Sequence, residues 1–183
     1  MLKLFFKCII RVEATCWKER NVRKQNEIIE IGAVKINRRG DILDEFNEFV
    51  KPKLNPKLSP FCKELTTITQ NEIDNADYFP AVIERFKNWI NLDDFFYLCS
   101  WGFYDKNQFV KDSELHQLDT NWLKNHISLK HQYTEIKKLK KHIGMANALK
   151  IENIPLKGTH HRGIDDAKNI AQIFIANITK WTF

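Results

Sequence analysis

The chain has 183 residues, 43% hydrophobic and 28% charged, a globular balance that excludes a disordered or low-complexity polymer. Its formal charge of +6 fits a polyanionic partner without naming one. Cys8, Cys16, Cys62 and Cys99 stand scattered with no C-x-x-C pair, which argues against a zinc ribbon or a disulfide framework and for a reducing, cytoplasmic setting.

In chain order, "MLKLFFKCII" mimics a signal peptide, but Lys7 breaks the apolar run and no small-residue cleavage pattern follows. It is read as the start of a first strand running to "RVEAT". "EIIEIGAVKINRRGDILDEFNEFV" reads as two antiparallel strands around a turn at Asn37 to Asp41, with Gly40 supplying a positive φ. "KPKLNPKLSPFCKEL" holds three of the five prolines and is expected to be an ordered loop. Thr69 to Glu72 fits a capping box that opens a short helix. Phe79, Val82, Ile83, Phe86 and Ile90 recur at helical spacing.

"FFYLCSW", Phe95 to Trp101, reads as a buried strand, followed by a helix from about Tyr104 to Leu118. "HISLKH" has room for a further short strand. "TEIKKLKKHI" and "MANALKI" read as helices separated near Gly144, with Lys137, Lys138, Lys140 and Lys141 on a solvated helix face. The last helix is the clearest, with Ala167, Ile170, Ala171, Phe174, Ile175 and Ile178 on one side. No repeat or linker divides the chain, so residues 1–183 are expected to form a single domain. Strands first in a hairpin and then alternating with helices give an α/β fold: a mixed sheet of about five strands flanked by helices. No segment is long enough to span a membrane.

On the first strand, Arg11 and Glu13 share one face, opposite Ile10 and Val12. A surface ion pair explains them as simply as a functional role does. Asp105 follows Trp101 where strand gives way to helix, and an aspartate there commonly starts a helix. Asp165 and Asp166 stand where the last helix begins, and Asp166, four residues before Ile170, borders the apolar stripe. His161 lies in "GTHHRG", five residues ahead of Asp166; His160, His116, His126, His131 and His142 are expected at the surface. Glu13, Asp105 and Asp166 would offer hard oxygen ligands suited to Mg²⁺ or Mn²⁺.

"VEATCW", "NEIIEIGAV", "LSPFCKELTTITQNEID", "SWGFYDKNQF" and "GTHHRGIDDAKNIA" closely resemble the DEDDh 3′–5′ exonucleases, nearest the Eri-like, histone-mRNA 3′-exonuclease branch of the RNase T and DnaQ-like superfamily. The resemblance runs from about residue 4 to 178. It implies a ribonuclease H-like fold and removal of nucleotides from single-stranded 3′ ends, RNA favoured, with two Mg²⁺ or Mn²⁺ ions. It implies Glu13, Asp105 and Asp166 as metal ligands, His161 as general base and Asp165 as a non-ligand neighbour. Trp17 and Trp101 flank these positions and could stack on terminal bases, with core packing the plainer role for Trp101.

One position departs from the pattern. The family's first motif is Asp-x-Glu, and here the aspartate position holds Arg11. The site's formal charge changes from −4 to −2, and a guanidinium stays protonated at any working pH. A unit charge about 4 Å from a divalent ion costs roughly 8 kcal/mol at an effective dielectric of about 20. Impaired hydrolysis is therefore expected, with Arg11 pairing with Glu13 and Asp166 in place of a cation. A nucleic-acid-binding protein that keeps the fold and lacks catalysis is the alternative.

Overall fold

The computed structural model describes residues 5–19 and 24–183. The first four residues of the opening segment lie outside this range. Five strands form one sheet in the order β3-β2-β1-β4-β5. Strands β1 (Phe5–Ala14), β2 (Ile28–Ile36) and β3 (Ile42–Phe49) make an antiparallel meander. Strands β4 (Phe95–Ser100) and β5 (His126–Ser128) add in parallel beyond β1. The β2–β3 turn closes as the sequence predicts, with Gly40 at φ 92° and its N–H donating to Asn37 O at 3.2 Å.

β1 is buried on both faces. Cys8, Ile10 and Val12 join the core beneath α3 (Phe79–Ile90) and α4 (Tyr104–Leu115), where Phe86 stacks on Phe109. Ile9, on the other face, packs with Val34, Ile36 and the Ala167, Ile170 and Phe174 side of α7 (Gly163–Ala176). Each such large apolar side chain gains about 1.5–3 kcal/mol on burial, so α7 is held by its stripe. Arg11 and Glu13 point to this second face, towards the first turn of α7.

Gly32 lets α7 come unusually close. A Cβ there would lie 2.1 Å from Ile164 N and 2.2 Å from the Gly163 carbonyl carbon. That contact sets the height of the α7 N-terminus over β1 and β2, and with it the position of Asp166.

Three local expectations need correction. The proline-rich segment is not all loop: α1 (Pro60–Thr66) forms there, because Ser59 Oγ accepts the Cys62 N–H at 3.0 Å and Pro60 suits the first helical position. α2 (Gln70–Asp74) follows on the predicted capping box. α4 stops at Leu115 rather than near Leu118, and Gln117 turns the chain at φ 55°. α5 (Leu129–Ile136) begins at Leu129, directly after β5, and ends before the lysine run. Lys138 adopts φ 53° while Leu139 N–H donates to Thr134 O at 2.9 Å, a Schellman closure that turns the chain and lets Leu139 pack inward. The lysines therefore lie beyond the helix, and Lys137 pairs with Glu152 at 2.8 Å. α6 (Met145–Ile151) follows directly on Gly144, where the break was expected.

Candidate active site

The C-terminal ends of β1 and β4, the first turn of α4 and the first turn of α7 converge on Arg11. Its Nε lies 3.4 Å from Glu13 Oε1 and 3.7 Å from Asp166 Oδ2, and one terminal nitrogen lies 3.8 Å from Asp105 Oδ1. The three acids dispersed over more than 150 residues thus ring a single guanidinium. These are ionic contacts without hydrogen-bond geometry: Arg11 Nε, Glu13 Oε1 and Asp105 Oδ2 are buried without a hydrogen-bond partner.

Each acid is held from behind. Asp105 is fully buried, and its Oδ1 accepts the Val12 N–H at 2.9 Å, pinning α4 to β1. Asp166 Oδ1 faces His160 Nδ1 at 2.9 Å, and its Oδ2 accepts the His161 N–H at 3.4 Å. The loop before α7 is fixed by buried Glu30, which accepts the Gly163 N–H at 2.7 Å and pairs with Arg162 at 3.3 Å. Asp165 turns away and accepts the Thr159 N–H at 2.8 Å, so it closes the loop and does not join the cluster.

Burial dominates the electrostatics. It pushes the Glu13 carboxyl up to about 7, against the pull of Arg11 and with the help of Asp166, Glu30 and Asp105. Burial also raises Asp105, again opposed by Arg11. For Arg11, burial works downward, but Asp105, Glu13 and Asp166 together outweigh it and the guanidinium is held above its ordinary value. Burial, and then the neighbouring His160, lower the His161 imidazole, so it is neutral near pH 7 and free to accept a proton.

A cleft of about 360 Å³ opens over the cluster, with Arg11, Tyr104, Lys130, Asn147, His160 and Asp166 in its wall. Trp101 lines the cleft but is nearly buried: it is 7% exposed, packs on Tyr133 and donates from Nε1 to Ile143 O at 2.9 Å. Trp17 is partly exposed, with Lys24 over its ring at 5.3 Å, and is not among the cleft-lining residues. Tyr104, 49% exposed, is the aromatic that faces the opening. The sequence held a signal for it, an aromatic immediately before the helix-starting Asp105. Four histidines expected at the surface have partners: exposed His160 with Asp166, half-buried His126 with Ser100 Oγ at 2.8 Å, His131 with Ser128 Oγ at 2.6 Å and His142 with Thr134 Oγ1 at 2.8 Å.

A mixed five-stranded sheet with an antiparallel meander, helices on both faces and acids gathered at the C-terminal ends of its central strands defines the ribonuclease H-like fold of the DEDDh exonucleases. The chain belongs to the Exonuclease (RNase T) family, whose sequence model matches residues 9–174. It is 32% identical over 177 residues to 3′-5′ exoribonuclease 1 of Homo sapiens, covering 92% of this chain and 51% of that protein. The chain thus spans about half the length of the human relative. Its fold superimposes with a TM-score of 0.88 and 31% identity on the nuclease domain of 3′hExo, a DEDDh family member bound to rAMP, covering 95% of this chain and 92% of that one. A 3′-exonuclease structure showing 3′-end-specific recognition of histone mRNA stem-loop also matches at TM-score 0.88 and 30% identity, over 94% of this chain and 63% of that one.

Proposed function

We propose that this chain engages single-stranded 3′ ends, RNA favoured, in the cleft over Arg11, as a 3′-to-5′ exonuclease whose hydrolysis is severely impaired. The family supplies the reaction class, and the RNA-directed relatives supply the preference for RNA. The observation that carries the impairment is the guanidinium within 3.8 Å of all three acids.

The family fold implies divalent metal ions, and the donor set here does not fit a pair of them. Glu13, Asp105 and Asp166 are the acids that would face Mg²⁺ or Mn²⁺, yet with Arg11 among them they sum to −2 against a demand of four positive charges. Glu13 Oε1 and Asp105 Oδ2 keep lone pairs free, but the guanidinium occupies the centre. What the remaining residues do is clearer. Neutral His161 is the proposed base for a water attacking the terminal phosphodiester. Tyr104 offers a face for base stacking, and Lys130 and Arg11 offer positive charge to phosphate.

A catalytically silent nucleic-acid-binding protein is the second reading, favoured by the same guanidinium, which recognises phosphate without any ion. The experiment that separates the two uses 3′-labelled single-stranded RNA and DNA with Mn²⁺, comparing the protein with its Arg11→Asp and His161→Ala variants. Impaired catalysis predicts slow trimming that rises in Arg11→Asp and disappears in His161→Ala with affinity kept. Silent binding predicts no trimming by the unaltered protein and affinity that survives chelation. Equal, rapid trimming by the protein and Arg11→Asp would refute the impairment, and no measurable affinity for either nucleic acid would refute both readings.

A further inference from the structure

The loop ahead of α7 presents a second histidine beside His161. His160 Nδ1 stands 2.9 Å from Asp166 Oδ1, and its ring stacks on His161 with centroids 4.0 Å apart and planes at 25°. One ring nitrogen from each histidine and one oxygen of Asp166 all lie within 4.8 Å of one another. We propose that His160, His161 and Asp166 form a site for a single transition-metal dication, zinc above all.

The donor chemistry is that of a softer ion than magnesium. Imidazole suits Zn²⁺, Ni²⁺ and Cu²⁺, whereas Mg²⁺ and Mn²⁺ prefer carboxylate and water oxygens. Two histidines and one carboxylate form a three-ligand zinc set that leaves the fourth position to water. Arg11, 3.7 Å from Asp166 Oδ2, opposes a cation on that oxygen, which places the ion on the Oδ1 and histidine side. Asp166 has its two oxygens divided, Oδ2 towards Arg11 at 3.7 Å and Oδ1 towards His160, so Oδ1 is the atom available to the ion. Access is open on one side, because His160 is exposed while Asp166 is 2% exposed behind it. On binding, His160 exchanges its hydrogen bond to Asp166 for the metal.

This site stands whether or not the chain cuts nucleic acid. If it does cut, zinc engages His161 and silences the cleavage.

Isothermal titration of metal-stripped protein with ZnCl₂, and with MgCl₂ in parallel, tests the proposal, supported by the visible spectrum of a cobalt-loaded sample. The variants are His160→Ala, His161→Ala and His131→Ala/His142→Ala; the last removes another histidine pair, whose rings lie 4.2 Å apart. One zinc per chain is expected, with tetrahedral cobalt bands. Affinity should fall by at least about tenfold in His160→Ala and in His161→Ala, and stay unchanged in the double variant. Metal-free melting temperatures establish that each variant folds. No zinc uptake, uptake insensitive to His160→Ala, or uptake lost with His131 and His142 would overturn the assignment.

Discussion

Replacing Arg11 by aspartate reverses the sign of the charge at the centre of the acid cluster. The guanidinium lies 3.4–3.8 Å from Glu13, Asp166 and Asp105, so any ion those acids held would lie at a comparable distance from it. At about 4 Å and an effective dielectric of about 20, one such charge opposes a divalent ion by roughly 8 kcal/mol. Side-chain movement and solvent at the 21%-exposed Arg11 side chain remove much of this. A quarter of it, about 2 kcal/mol, still corresponds to roughly a thirtyfold change in affinity. Arg11→Asp is therefore expected to bind Mn²⁺ more than tenfold tighter and to trim 3′-labelled single-stranded RNA faster.

The same substitution should weaken the metal-free protein. It removes the counter-charge of three nearly buried acids and adds a fourth, a change that costs about 3 kcal/mol or more where a buried pair is broken. Thermal melting in chelator should show that loss, and added Mn²⁺ should recover it. A variant as stable as its parent in chelator, with no gain in Mn²⁺ affinity, would refute the view that Arg11 stands in for a cation.

Gly32→Ala should cost more than 4 kcal/mol in urea unfolding or prevent folding, because its Cβ would meet Ile164 N at 2.1 Å. Half-buried His126 is lowered from 6.5 to about 4 by burial and then by Lys106. Its contribution to stability is fully present above pH 6.5 and is lost as pH falls towards 4, by about 2 kcal/mol once its partial exposure is allowed for; His126→Gln should flatten that limb of a melting-temperature profile. Tyr104→Ala should weaken binding of single-stranded RNA by about 1–3 kcal/mol, read by fluorescence anisotropy, with melting temperature little changed.

Where the sequence spoke plainly, local chemistry and burial pointed the same way. The Asn37–Asp41 turn, the Thr69–Glu72 capping box and the α7 stripe each combine both, and all three form where expected, except that α7 ends at Ala176 and Ile178 packs from the turn beyond it. The grouping of Glu13, Asp105 and Asp166 was legible only through the family resemblance, since their separation along the chain carries no spacing signal. In the fold all three lie around the Arg11 guanidinium at 3.4–3.8 Å. What stayed hidden was set by neighbours distant in sequence. α1 depends on one serine hydroxyl in a run of prolines, and α5 ends where Leu139 turns inward, against a lysine-rich pattern that continues in helical period. His160 looked idle because its partner, Asp166, reaches it only through the φ 67° turn at His161.

The most direct measurement is anomalous diffraction from crystals soaked in Mn²⁺, comparing the protein with Arg11→Asp. With the arginine present, the guanidinium should remain between Glu13, Asp105 and Asp166 with no pair of ions among them, and the aspartate variant should show two. Two manganese peaks in the unaltered protein, with Arg11 swung out of the cluster, would contradict the substitution of a fixed charge for a metal.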